Sequence, residues 1–477
     1  MSTEITHTSS TLKMVLTFEK SREKFLQIRD GSIAELDKLF PPPKDSQHHD
    51  KPTKLPKNSI PVFQQMMAPS DAIIVNTDPV ELLDQLAHAK VSAVTVAGAF
   101  LRAAVIAQTL TNCLTELLPR EALETAKKLD EHLEATGKTV GPLHGGSSSG
   151  EGALIGLGAS HLGLGTDIGG SIRGPAACSG IYGLRPSTGR VPIAGCDHPM
   201  HGSDSINGCI GPMTPSPKLL DLFMQVMSDA ETWRYDPVTE RSVWSPSTFK
   251  KKKLRVGYYS DDGYVTPHPP VTRAIEEYVS KIEKSNFDVE VELVPFTPFN
   301  AADNWRIITT LYFTDGGKWL KDELNCVGEP LTDRIEMIAL KNPNCRRLNI
   351  EELWHAHDER DGFKWNLRQE WNKAGIDMLI APSLPGAAFK FGTSNYWGYT
   401  SYWNLVDYAS VSVPFSTVKA SDKPAENFKP RNKLDAEWQA HYSPEIYEGA
   451  PLSIQLIAPR MHDEVIVEAL KMFSDIQ

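Results

Sequence analysis

Long apolar runs are missing from this sequence, and other absences narrow it further. No apolar stretch is long enough to span a bilayer, so no membrane segment is expected. No basic stripe is long enough to hold nucleic acid: 60 Asp and Glu outnumber 49 Lys and Arg, for a net charge of −11. The short run Lys250 to Lys253 reads as a solvated face ahead of a strand. Six cysteines, Cys113, Cys178, Cys196, Cys209, Cys326 and Cys345, are scattered without CxxC or Cys/His metal spacing. They read as free thiols of a reducing compartment, and with no small-residue cleavage site behind an apolar core near the amino terminus they imply a cytoplasmic protein. Nucleotide motifs are absent too. The residue that would complete Gly163-x-Gly165-x-x-Gly is Ile168, for Gly156-x-Gly158 it is His161, and no GKS or GKT follows a glycine loop.

The composition that remains, 40% hydrophobic and 23% charged over 477 residues, suits a large single-core α/β enzyme. Residues 1–70 read as a helical and irregular leader, broken at Pro41, Pro42 and Pro43, with His48 and His49 in a solvent-exposed linker. Residues 71–477 read as one catalytic domain. Asp78, Pro79 and Glu81 fit the N-cap, N1 and N3 positions of a helix. Val96, Phe100, Ala103, Ala107 and Leu110 share one face of a second helix beginning near Ser92, and Glu121 to Ala135 give a third. Further on, Leu254 to Tyr259, Val271 to Lys284 and the alternating Phe287, Val289, Val291 and Leu293 read as strand, helix and strand, which favours a mixed or parallel sheet. Later strands are expected at Asp377 to Ala381, at Val411 to Val413 ending at Pro414, and at Pro451 to Ile457. His355 and His357, on an expected helix, point to different faces, which argues against a metal pair.

The stretch from Gly145 to Arg173, GGSSSGEGALIGLGASHLGLGTDIGGSIR, organises the rest: two small-residue turns each present a serine. Glycine beside Ser147 and before Ser171 permits backbone conformations that a Cβ disfavours, and close approach to a ligand. Asp167, Ile168, Gly169, Gly170 and Ser171 would place a run of amide donors beside a hydroxyl. Acyl transfer needs that combination, a nucleophile and an oxyanion hole on one turn.

This run resembles the amidase signature family, whose members carry GGSSGGE, a small-residue spacer and GTDxGGSxR; the likeness continues through Pro175, Ala176, Gly180, Tyr182, Arg185 and Pro186. The resemblance implies an α/β fold, the amidase signature fold, with a central mixed β-sheet flanked by helices. It implies Ser171 as the acyl-forming nucleophile and Ser147 as the proton-relaying serine held by a cis peptide. The amides of Ile168, Gly169, Gly170 and Ser171 would form the oxyanion hole. Asp167, Arg173 and Ser148 would be supporting residues, Asp167 and Arg173 pointing away from the cavity. Ser149 departs from the family glycine, and would be strained if that position required positive φ.

A second departure concerns the base. In the family a V-P-x-S-x-K-like strand follows the Pro-Leu-His-Gly element and supplies the catalytic lysine, whereas here Gly145 runs directly into Gly146 and Ser147. Ser147 and Ser171 would then form a relay without a proton sink, with His144 and Lys138 as the nearby candidates to replace it. The implied function is hydrolysis of a non-peptide carboxamide through a seryl acyl-enzyme. Its alternatives are a catalytically impaired or inactive homologue or truncated product, and the amidase subunit of a tRNA-dependent amidotransferase. No metal or organic cofactor is called for. The partners expected are a small-molecule amide and no nucleic acid, with a homo-oligomer compatible with the sequence.

Overall fold

The computed structural model describes residues 18–46, 58–136, 148–197, 200–245, 253–387 and 393–476. In chain order the elements used below are helices α1 (Phe18–Leu39), α2 (Pro79–Ala87), α3 (Ala93–Thr111), α4 (Pro119–Thr136) and α5 (Ser148–Gly156), then strand β1 (Gly163–Asp167), helix α6 (Arg173–Ser179) and strands β2 (Tyr182–Arg185) and β3 (Cys209–Thr214). There follow α7 (Pro217–Asp229), β4 (Lys253–Tyr258), α8 (Pro269–Lys284), β5 (Glu290–Pro295), α9 (Ala301–Tyr312), α10 (Ile350–Ala374), β6 (Met378–Pro382), α11 (Gly398–Leu405), β7 (Ala409–Thr417), β8 (Pro451–Ala458) and α12 (Asp463–Met472).

Local sequence sets several of these elements. Asp78 accepts hydrogen bonds from the Val80 and Glu81 amides and starts α2, as its position before Pro79 implies. Ser92 does the same for α3 through the Thr95 amide. Along α3, Ala99, Ala103, Ala107 and Leu110 pack against Phe63 and Val75. Ala104, on another side, meets Leu36 of α1, Phe40 and Leu117. Alanines allow this close packing on both sides. They also make α3 the one described helix long and apolar enough to cross a bilayer by length and composition, with 39% of that stretch buried, which corrects the expectation that none would qualify.

The eight strands form one mixed sheet in the order β1-β3-β2-β7-β8-β6-β4-β5. The first pairings, from β1 across to β6, are antiparallel. Strand β4 is parallel to both β6 and β5. The β4–α8–β5 unit is the strand–helix–strand order read from the sequence, although β5 begins at Glu290 rather than Phe287. Strand β7 does not stop at Pro414: it runs on to Thr417 with a shift of register between Pro414 and Ser416, and such an irregularity is where a strand tolerates a residue that cannot donate to the ladder. On β6, Met378 and Ile380 face one core with Ile275, Tyr278 and Ile282 of α8 and Val467 and Leu470 of α12. Leu379 and Ala381 face the other with Ile307, Ile308 and Leu311 of α9 and Phe363, Leu367 and Trp371 of α10. The architecture is therefore α/β, a mixed sheet between helical layers.

Candidate active site

Strand β1 ends at Asp167, the chain turns through Ile168 to Ser171, and α6 begins at Arg173. Ser171 is exposed, and Ile168 is 43% exposed. Behind them Asp167 and Arg173 are both fully buried. The pair is charged and close, with Arg173 Nη2 3.0 Å from Asp167 Oδ1 and Nε 3.1 Å from Oδ2. Burial pushes the Asp167 carboxyl upward, but the guanidinium of Arg173, its hydrogen bonds and the charge of Arg185 outweigh that and hold it down at about 2. The carboxylate is thus ionised, and it organises the turn by accepting from the amides of Gly170 at 2.7 Å and Ile172 at 3.2 Å.

Residues remote in sequence complete this cluster. Arg173 donates to the Thr400 carbonyl at 3.0 Å and to Asn404 Oδ1 at 2.6 Å, while Asn404 Nδ2 donates to Asp167 Oδ1 at 2.8 Å. Gln455 Oε1 accepts from Arg173 at 3.3 Å, and its amide nitrogen ties the Pro382 and Tyr399 carbonyls at 2.8 Å each. Tyr312 Oη donates to the Ile168 carbonyl at 3.1 Å, and Thr400 Oγ1 to the Gly169 carbonyl at 2.8 Å. Gly170 has φ +116, and a Cβ there would collide with Thr400; a Cβ on Gly169 would collide with Tyr312. Both glycines are therefore required by close approach, and Gly170 also by its conformation.

The four amides expected to face one ligand are not equivalent. The Gly170 N–H is directed to Asp167, whereas those of Ile168, Gly169 and Ser171, and the Ser171 hydroxyl, have no partner among the described residues. Ser148, at the start of α5, is buried, and its Oγ lies 3.2 Å from the Thr166 amide and 3.3 Å from the Thr166 carbonyl, on the outer edge of β1. Ser149 is helical with no positive φ, so the departure from glycine there brings no strain. Ser147, Lys138 and His144 lie outside the described residues. Glu151, one turn into α5, meets no hydrogen-bond donor among the described residues, and burial pushes its carboxyl up to about 7. No group of three or more His, Cys, Asp or Glu placed to hold a metal ion occurs among the described residues.

Tyr312, Thr400, Asn404 and Gln455 were invisible in the sequence. No spacing links them to the serine turn, and only the sheet and the helices over it bring them together.

Ser171 is thus exposed, its own amide and that of Gly169 are unengaged among the described residues, and its turn is clamped by a buried ion pair. The comparisons with known proteins give the class. The Amidase family model matches residues 144–467, and the chain belongs to that family. A Schizosaccharomyces pombe protein provisionally named as an amidase is 33% identical over 542 aligned positions, covering 96% of this chain and 99% of its own length. The acetamidase of Emericella nidulans is 32% identical over 492 positions, covering 84% of this chain and 89% of its own. Both alignments are longer than the 477 residues of this chain, so each includes positions where the relative has a residue and this chain has none. In fold, a solved structure of fatty acid amide hydrolase superposes with a TM-score of 0.82 at 24% identity, covering 95% of this chain and 96% of its own. A hydrolase of amides with an α/β amidase signature fold is the resulting assignment.

Proposed function

We propose that the chain hydrolyses a small carboxamide through Ser171, and that as it stands it does so with an incomplete proton relay. Ser171 Oγ attacks the carboxamide carbon, and the Ser171 and Gly169 amides receive the oxyanion. The C–N bond breaks as Ser147 passes the proton to the leaving amine, and water then releases the acid from the acyl-enzyme. The observation that carries the reading is the exposed Ser171 hydroxyl on a turn whose amides at Gly169 and Ser171 are unengaged while Asp167 and Arg173 fix the backbone behind it. The acetamidase relatives support a simple carboxamide as substrate. None of the six cysteines forms a disulfide, in keeping with a cytoplasmic enzyme.

The weak point of the relay is its base. The chain passes from Gly145 directly to Gly146 and Ser147 without a lysine strand, and the excess length of the relatives' alignments supports a block present in them and absent here. Without a general base, amide turnover should fall by about 10²–10⁴. The test is ammonia release from acetamide by the purified chain and by Ser171→Ala. Near-background release from the parent, lost altogether in Ser171→Ala, with acylation of Ser171 by an activated ester, is expected. Brisk release abolished by Ser171→Ala would keep the nucleophile and refute the missing base, pointing to His144 or Lys138 in its place.

A further inference from the structure

The serine turn is gripped from outside by two hydroxyls that belong neither to its own sequence nor to the buried ion pair. Tyr312, the last residue of α9, donates to the Ile168 carbonyl, and Thr400 of α11 donates to the Gly169 carbonyl. In a trans peptide the carbonyl and the following N–H are antiparallel, so fixing one oxygen fixes the direction of the next amide. Tyr312 thereby aims the Gly169 N–H, and Thr400 aims the Gly170 N–H, which reaches Asp167 at 2.7 Å. The next plane is held in the same way, since Gly174 donates to the Gly170 carbonyl at 2.7 Å and thereby aims the Ser171 N–H. Three consecutive peptide planes are each held at the oxygen, and the outer two leave their N–H without a partner among the described residues.

We propose that Tyr312 and Thr400 are positioning residues for the oxyanion hole, which consists chiefly of the Gly169 and Ser171 amides; this rests on the reading of Ser171 as nucleophile. Tyr312 controls the first amide directly. Thr400 sets the middle plane, which anchors the turn to Asp167 and holds its two neighbours in register. The Tyr312 ring is itself braced, packed against the core that contains Ile308, Tyr396 and Tyr399. Removing the hydroxyl alone should therefore leave the ring in place. Burial raises the Tyr312 phenol above its ordinary range, so it remains a donor at neutral pH.

The test compares Tyr312→Phe, Thr400→Val and Thr400→Ser with the parent, using p-nitrophenyl acetate and the corresponding O-aryl thionoacetate. Sulfur in place of the carbonyl oxygen gains little from an oxyanion hole, so the ratio of ester to thionoester acylation rates reports the hole itself. Removing one oxyanion donor outright costs about 10²–10³ in rate, and misaiming one should cost about tenfold. The expected result is a ratio lowered about tenfold in Tyr312→Phe and Thr400→Val, near-parental in Thr400→Ser, with thionoester rates unchanged. General loosening would depress both substrates together and leave the ratio alone. An unchanged ratio in both deletion variants overturns the proposal while leaving Ser171 as nucleophile. Acylation of the parent that persists in Ser171→Ala overturns the nucleophile reading and this proposal with it. Should Tyr312→Phe fail to fold, the Thr400→Val and Thr400→Ser pair decides alone.

Discussion

The two ends of the sheet are held together by different means. Toward the β4–β5 end, the parallel strands β4 and β6 are buried against α8 by aliphatic side chains: Leu254, Val256, Met378 and Ile380 are each at most 1% exposed. At the β1 end the strand reads GLGTD, with little side chain to bury, and its order comes from a polar cluster. Asp167, Arg173, Asn404, Gln455 and Thr400 saturate one another there. The first arrangement is tolerant, because dispersion and burial are spread over many contacts. The second depends on each partner, because a buried charge left alone is costly. Small residues at the β1 end leave backbone accessible to a ligand, and the polar cluster supplies the rigidity that side-chain packing supplies elsewhere.

The sharpest way to break this contrast is Arg173→Ala. It leaves Asp167 buried and unpaired and should cost about 3–5 kcal/mol by chemical denaturation, with reactivity at Ser171 lost as the turn loses order. The same pair predicts an acid limb. The Asp167 carboxyl is held down at about 2 against an ordinary 3.8, so its stabilisation is present above 3.8 and is lost as pH falls through about 2. Parent melting temperatures measured across that window should show the loss. At the opposite end, Leu254→Ala should cost about 2–5 kcal/mol through cavity formation while leaving Ser171 reactivity intact below the new melting point. Equal losses of reactivity from the two variants at matched stability would erase the distinction between the ends.

Glu151 gives a smaller effect of opposite sign. Its carboxyl is pushed from 4.5 to about 7 by burial, so the folded state favours the proton. Stability is full below pH 4.5 and declines as pH rises through about 7. Glu151→Gln should therefore gain up to about 3 kcal/mol at pH 8 and almost nothing near pH 4.5. A gain independent of pH would contradict this assignment of the shift. Smallest is Asp78→Ala, which removes the α2 cap and should cost about 1 kcal/mol without touching the site.

Legibility in the sequence followed the same division. The β4–α8–β5 unit announced itself because aliphatic runs and 3.6-residue periodicity are what burial under a helix demands. Strands β1, β2 and β3 did not, because Gly163, Gly165, Gly183 and Gly211 carry no side chain to form a pattern. The serine turn was legible through its motif. Its supports were not: Tyr312 and Thr400 act through a single hydroxyl each, from helices whose placement is decided by the whole core. The engagement of the Gly170 amide by Asp167 was also hidden, since composition cannot say which way a peptide plane is turned.

The measurement that bears most directly on the account is the site of covalent labelling by a small fluorophosphonate, mapped by peptide mass spectrometry on the parent chain. The phosphonyl group should attach at Ser171, and no label should remain in Ser171→Ala. A label on another residue, or equal labelling of the parent and Ser171→Ala, would contradict the assignment of Ser171 as the nucleophile.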